Sequence, residues 1–445
     1  MYLPDYVKMA IDTLCENGFE AYAVGGCVRD ALLLKNPHDY DVTTSALPEQ
    51  IKKCFKGFKV IETGIKHGTV SVVTNKNIIE ITTYRIDGEY EDNRHPKDVS
   101  FTNSLKDDLC RRDFTINAMA YNEKDGLCDF FGGRADLESK IIRCVGEAEK
   151  RFEEDALRIL RALRFAAVLG FKIEKQTEKA ILKKKKLLKN ISQERIREEF
   201  SKLIVSKDAA KIIERYSEVF AVFIPEIEKT KGVLPYNEAH IYDVFIHTLK
   251  AVEYAKPKLC IRLCMLFHDI GKPYCFTLDQ KGRGHFYAHQ KIGANICTKV
   301  LTRLRFDNKT IKKTAMLVNY HDGRIFANEK SVLRWLRRIG NENLKDLLEV
   351  KRADAAAHEK SYALQRCAQI DEIDKILDDV IQKKLCYNLK MLDFKGGDAI
   401  ALGFTGKQTG HLLNYLLNAV IEKRCENENE KLKSFAIKYK EKNDI

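Results

Sequence analysis

The sequence predicts an α/β head over residues 1–146 followed by a long all-α region, and three observations carry that prediction. Short runs rich in β-branched residues, Val60–Ile61, Thr69–Thr74 and Ile78–Thr83, mix with helical patterns in the first part only. From Glu147 onward the pattern turns helical: Phe152 to Leu169 carries apolar residues at 156, 157, 159, 160, 163 and 167, the spacing of one helix. The charge changes at the same point, from −4 over residues 1–146 to +17 over the remainder of a chain whose net charge is +13.

The first element in the head is the apolar run Ala21-Tyr22-Ala23-Val24, a strand entering the tight turn Gly25-Gly26. A helix from Val28 to Leu34 follows. Glycines at such a turn let backbone amides approach a phosphate, and a helix start adds a favourable dipole. Next, in His38-Asp39-Tyr40-Asp41-Val42, Asp39 and Asp41 alternate on a second strand. Period-two geometry sets both carboxylates on one face. Two hard oxygen ligands beside a phosphate cradle are the donor set of Mg²⁺-dependent phosphoryl transfer. On the strand Ile78-Ile79-Glu80-Ile81-Thr82, Glu80 either completes that metal site, acts as the base for an attacking hydroxyl, or is an outward-facing strand acid.

Beyond the head, residues 171–215 continue as helices with a lysine run at Lys183–Lys186, and Pro225, Gly232 and Pro235 punctuate a boundary. Residues 236–380 are again helical, and from Lys395 a glycine-spotted stretch leads into one last amphipathic helix and a charged tail. The expected division is a head at 1–146, a helical neck and body at 147–230, a second helical domain at 231–380 and a tail at 381–445. No run of eighteen apolar residues marks a membrane span, and Asp5 and Lys8 interrupt any leader pattern, so a cytoplasmic protein without a membrane partner is expected. Thirteen cysteines without paired spacing should be mostly free. An acidic metal-binding head on a basic body suggests a nucleic-acid partner along the body.

The order Gly25-Gly26, Arg29-Asp30, Asp39-x-Asp41, then Arg111-Arg112-Asp113-Phe114-Thr115-Ile116-Asn117-Ala118, resembles the class II tRNA nucleotidyltransferases. These are the CCA-adding enzymes, with bacterial poly(A) polymerases as relatives. The similarity runs on through Asp129-Phe130-Phe131-Gly132-Gly133, Asp136-Leu137, Ile142-Arg143 and Arg151-Phe152-Glu153-Glu154-Asp155-Ala156-Leu157-Arg158. It implies a polymerase-β-like head, then a helical neck, body and tail. It also implies template-independent addition of C, C and A to a tRNA 3′ end from CTP and ATP, with Mg²⁺ at Asp39 and Asp41. Arg112, Asp113 and Asn117 resemble the motif that holds sugar and triphosphate, with Asp113 in a structural role orienting an arginine. The polar segment Arg85 to Pro96 resembles a flexible loop associated with the switch from C to A addition, and Gly396 to Gly410 resembles the tRNA-gripping tail. Rival readings are a poly(A) polymerase or A-adding enzyme, and a hydrolase whose head only docks RNA.

Glu154, Asp155 and Arg158 fall at i, i+1 and i+4 of the expected helix, with Arg161 a turn later. Asp155 and Arg158 then project from one side. A carboxylate accepts and a guanidinium donates, which matches cytosine (N4–H₂ beside N3) and adenine (N6–H₂ beside N1). Uracil and guanine present the reverse, at a cost of about 1–3 kcal/mol per unpaired group. A surface ion pair is the plainer alternative. Lys183–Lys186, Arg195 and Arg197 are candidates to line an RNA stem through its phosphates.

A second constellation comprises His247, His268-Asp269, His289 and His321-Asp322. Its order resembles HD-superfamily metal phosphohydrolases, which implies a second divalent metal held by His247, His268, Asp269 and Asp322. The implied activity is a phosphatase or 2′,3′-cyclic phosphodiesterase; a helical scaffold without turnover is the alternative. Cys260, Cys264 and His268 fall on one helical stripe, read as buried packing rather than a soft-metal face.

Overall fold

The computed structural model describes residues 1–442 except 38, 63, 66, 67, 75, 76, 89–98, 235–241 and 281–283. The chain divides into two compact units, Met1–Glu228 and Lys229–Ile445.

The first unit opens with helix α1 (Asp5–Glu16), whose stripe Val7, Ala10, Ile11 and Leu14 is buried. Strand β1 (Ala21–Val24), helix α2 (Gly26–Leu32), strand β2 (Asp41–Thr44) and helix α3 (Pro48–Cys54) follow. Then come β3 (Lys59–Ile61), β4 (Thr69–Val73), β5 (Ile78–Thr83), β6 (Arg85–Asp87) and β7 (Val99–Phe101). Helix α4 (Leu105–Cys110), β8 (Met119–Asn122), β9 (Gly126–Asp129), α5 (Gly133–Glu138) and the short β10 (Ile141–Ile142) complete the head. Seven strands form one mixed sheet in the order β3-β4-β5-β2-β1-β8-β9. Its β2–β5 pair is parallel and the others are antiparallel. All four residues of β1 are buried, as a central strand requires. In β5 the alternation buries Ile79, Ile81 and Thr83 and leaves Ile78 and Glu80 exposed.

The helical part of this unit is α6 (Ala148–Glu154), α7 (Leu157–Leu169), β11 (Lys172–Ile173), α8 (Lys175–Lys184), α9 (Gln193–Ile204), α10 (Ala209–Arg215) and α11 (Ser217–Phe220). The expected single helix from Phe152 to Leu169 is two. Asp155, between them, is extended at φ −138° and ψ 102°. Its carboxylate accepts from the Leu157 amide at 3.1 Å, so it ends one helix and turns the chain into the next, whose N-cap is Ala156.

The second unit contains α12 (Val244–Tyr254), α13 (Leu259–Phe267), a hairpin of β12 (Phe276–Leu278) and β13 (Gly284–Phe286), α14 (His289–Arg303) and α15 (Asn308–Tyr320). It continues with α16 (Glu329–Ile339), α17 (Asn341–Ala356), α18 (Lys360–Gln382), α19 (Gly396–Ala401), α20 (Lys407–Ile421) and α21 (Asn429–Lys442). The charged tail after α20 is helical, as the resemblance implies. Leu432 and Ala436 lie four residues apart and are buried, which is enough to hold one face down. No helix among the described residues is long and apolar enough to cross a membrane. All thirteen cysteines are free.

Candidate active site

Asp41 stands at the start of β2, directly across from Val24 on one side and from Glu80 on the other. Because β2 and β5 run parallel, register partners point to the same face, so Asp41 and Glu80 emerge together on the open face of the sheet. Asp39 does not alternate with Asp41 on the strand as the sequence suggests; it lies in the segment before it. The cause is on β1, which turns away at Gly25 and leaves residues before Asp41 no partner on that side. The three acids still act on one another. Crowding by protein atoms raises the Asp41 carboxyl above the usual range, Arg112 opposes that rise, and Glu80 and Asp39 add to it. His38 lies outside the described residues.

Gly25 adopts φ +81°, and a Cβ there would lie 2.9 Å from Arg112 Nη1. The glycine thus serves twice, giving a left-handed turn and clearing space for a guanidinium. The adjoining Gly26 begins α2. Arg112 also approaches the fully buried Asp108, at 3.7 Å. Asp108 in turn takes two bonds from Arg111, at 2.9 and 2.8 Å, and one from Thr43 at 3.0 Å. Arg112 Nε is buried with no hydrogen-bond partner among the described residues. One loop further, Arg29 donates to Asn117 Oδ1 at 2.7 Å and Asn117 donates to Asp113 at 3.1 Å. Asp113 receives Arg161 from α7 at 2.7 Å. Burial alone would raise the Asp113 carboxyl, but Arg161, Asn117 and Arg158 hold it at about 2. Arg29, Arg161 and Arg164 surround the ring of Phe165, with guanidinium carbons 5.0, 5.5 and 3.9 Å from its centroid. Phe165 escaped the sequence reading because it lies off the apolar stripe that the sequence marks on this helix.

Asp155 and Arg158 are not paired with each other. Arg195 grips Asp155 through two bonds, at 3.2 and 2.8 Å. Arg158 is buried, donating to Glu154 at 2.9 Å and to the Arg111 carbonyl at 2.9 Å. The break at Asp155 turns the two side chains onto different partners. The lysine run is also less free than its composition suggests: Lys183, Lys184 and Lys185 pair with Glu149, Glu153 and Glu218. Arg197 lies 3.5 Å from Glu198. Of the polar segment Arg85 to Pro96, β6 pairs with β7, and the rest falls largely outside the described residues, as does Pro235.

In the second unit the histidines do converge. His247, His268 and Asp354 form one group, and Asp269, His289 and His321 another. Asp354, on α17, is the acid that sequence reading missed. His247 Nε2 lies 3.0 Å from its carboxylate and His268 Nε2 3.5 Å. The expected Asp322 belongs to neither group; its carboxylate accepts from Gln290 at 2.9 Å. It attracted attention only through its adjacency to His321. No cysteine joins either group, and Cys264 is fully buried. Gly271 permits the close packing behind Asp269, since a Cβ there would lie 2.2 Å from the His289 carbonyl oxygen.

The mixed sheet, the glycine turn and the paired acids define a polymerase-β-like nucleotidyltransferase head followed by a mostly helical body. Three family descriptions match along the chain: "Poly A polymerase head domain" at residues 21–143, "Probable RNA and SrmB- binding site of polymerase A" at 170–230, and "tRNA nucleotidyltransferase domain 2 putative" at 286–436. The chain belongs to the class II tRNA nucleotidyltransferase family. A CCA-adding enzyme of Lactobacillus delbrueckii subsp. bulgaricus is 51% identical over 199 residues, 45% of this chain and 50% of that protein. That of Lactobacillus gasseri is 43% identical over 261 residues, 56% and 65%. The chain spans about half the length of the first of these relatives. The Bacillus stearothermophilus CCA-adding enzyme in complex with CTP aligns over 100% of this chain and 99% of its own, with TM-score 0.72 and 28% identity. The Thermotoga maritima CCA-adding enzyme complexed with tRNA shares the fold at TM-score 0.59 and 21% identity, covering 98% and 95%.

Proposed function

We propose that the chain adds C, C and A to the 3′ end of tRNA, using CTP and ATP without a nucleic-acid template. The observation that carries this reading is the register of Asp41 with Glu80 beside the Gly25 turn and Arg112. The tRNA 3′-hydroxyl attacks the α-phosphate of the incoming nucleotide, and pyrophosphate leaves. Asp39, Asp41 and Glu80 crowd negative charge that Arg112 only partly balances, so the donor set suits a divalent cation such as Mg²⁺. Such an ion, held by these acids, would lower the pKa of the nucleophile and neutralise the leaving charge. The amides of Gly25 and Gly26 approach the triphosphate, and Arg112 offers its unpartnered Nε–H. Arg29 and Asn117 meet the sugar, with Asp113 and Arg161 fixing that wall.

Base choice rests on Asp155 and Arg158, which must exchange their present partners Arg195 and Glu154 for the base edge. The curated CCA-adding relatives favour this reading over poly(A) synthesis. The four-part division into 1–146, 147–230, 231–380 and 381–445, and a cytoplasmic location, belong to the same proposal. The test is to incubate tRNA lacking its 3′ end with each nucleotide triphosphate separately and in combination, and to sequence the products. Ordered CCA supports the reading, and a long A ladder from ATP alone replaces it with poly(A) polymerase.

A further inference from the structure

A cavity of about 480 Å³ opens on the second unit at the turn between α15 and α16. Its floor is aromatic. Gly323, just past α15, has no side chain, and a Cβ there would lie 2.8 Å from Trp335 Cη2, so the loop closes directly onto the indole. Trp335 stands edge-on to Tyr320 with ring centroids 5.4 Å apart, and its Nε1 donates to the Arg324 carbonyl at 3.1 Å. The Phe326 amide donates to Ser331 Oγ at 3.0 Å. These bonds fix the loop while the Phe326 ring stays 60% exposed at the cavity wall. The rim is cationic. Arg338 lies over both buried rings, its guanidinium carbon 5.0 Å from the Trp335 centroid and 5.8 Å from that of Tyr320. Arg324 and Lys330 line the same space, and no carboxylate does. Among the described residues, Arg324, Lys330 and Arg338 form no ion pair. Arg334, the fourth cation, is held by Glu422 at 2.8 Å. Unpaired like charges around one cavity repel, and an anion seated among them relieves that repulsion.

We propose that this cavity is a second nucleotide site, taking a free nucleoside polyphosphate, and that it is separate from the transfer site of the first unit. The exposed Phe326 ring supplies a stacking face for a base. Arg324, Lys330 and Arg338 match the about three negative charges of a nucleoside diphosphate, and the two guanidinium groups can each grip phosphate through paired donors. The volume admits base, ribose and phosphates of one nucleotide together. An RNA strand fits the cluster less well, because it brings one charge per nucleotide spread along its backbone, whereas three unpaired cations here surround a single cavity. No histidine lines the cavity, which sets it apart from the groups around Asp269 and Asp354.

Trp335 is the single tryptophan of the chain, so its fluorescence reports on this cavity directly. The test titrates the full chain with GTP, a nucleotide that the transfer site is proposed to reject, and follows labelled GTP in parallel by equilibrium dialysis. A saturable change in Trp335 fluorescence is expected. Arg324→Gln and Lys330→Gln, both at exposed positions, should each raise the Kd for GTP at least about tenfold with circular dichroism unchanged. Phe326→Ala should raise it at least about fivefold while leaving the Kd for inorganic tripolyphosphate as it was, and Phe326→Tyr should restore it. No binding by either readout, or equal affinity in the unmutated chain and an Arg324→Gln, Lys330→Gln double variant, would overturn the site. Equal affinity for GTP and tripolyphosphate would overturn the nucleoside and leave an anion site. Displacement of GTP by a single-stranded RNA oligonucleotide at lower concentration would overturn the free nucleotide in favour of RNA. CCA addition is measured separately, so either reading can fail alone.

Discussion

Arg161 of α7 reaches back 48 residues in sequence to donate to Asp113 of the head, at 2.7 Å through Nε and 2.6 Å through Nη2. The pair ties the wall that holds Asn117 to the helix that follows Asp155. Its energetic trace is the Asp113 carboxyl, held at about 2 against an ordinary 3.8. A folded-state value below the unfolded one contributes stability that is present above the unfolded pKa. That stability is lost as pH falls from about 5 toward 2. For a group this buried the contribution is about 2 kcal/mol. Asp113→Asn should lower urea stability at pH 7 and flatten its decline between pH 5 and 3. An unchanged acid limb would show that Arg161 does not stabilise the fold through Asp113.

Asp41→Ala and Asp39→Ala should each reduce incorporation of both C and A by at least about a thousandfold, because both nucleotides use the same metal. Binding of tRNA, measured by gel shift, should persist, since phosphate contacts supply it. Glu80→Gln separates the two roles open to that acid. A base loses activity chiefly at low pH, and a metal ligand is partly rescued by raised Mg²⁺.

Arg158→Ala deletes the donor proposed to read cytosine N3 and adenine N1. Competition among the four nucleotides should show slower use of CTP and ATP and a raised relative rate for UTP or GTP, a shift of about 1–3 kcal/mol in transition-state terms. Arg195→Ala releases Asp155 from its bidentate partner and should alter base choice as well. Equal loss of all four nucleotides in both variants would reduce these residues to structural ion pairs.

Gly271→Ala places a methyl group 2.2 Å from the His289 carbonyl oxygen, a backbone atom with no freedom to move aside. The cost should be about 2–3 kcal/mol. A lowered Tm is expected. A wild-type Tm would mean that the turn after Asp269 can relax.

Legibility followed the range of the interactions. The glycine turn, β1 and the Asp41 strand were readable because local pattern decides them. Asp39 left the strand because β1, a different element, ran out of partners. Asp155 broke the expected helix because its carboxylate is committed to Arg195, 40 residues on, which helix periodicity does not register. Asp354 was invisible as one acid in an ordinary amphipathic helix, 85 residues after Asp269. Asp322 was conspicuous for a reason that folding does not respect, its adjacency to His321.

The parallel pairing of β2 with β5 has a bearing on how this protein varies. The spacing between the Asp41 and Glu80 carboxylates is fixed by hydrogen bonds between neighbouring central strands, not by the 38 residues of chain that join them. Insertions or deletions in that connection, α3 and the hairpin turn before β5 included, leave the spacing intact. A slip of one residue in β5 instead offers Ile79 or Ile81 where an acid stood. Lineages can therefore lengthen, shorten or rewrite the outer half of the sheet freely while its register stays under the strictest selection.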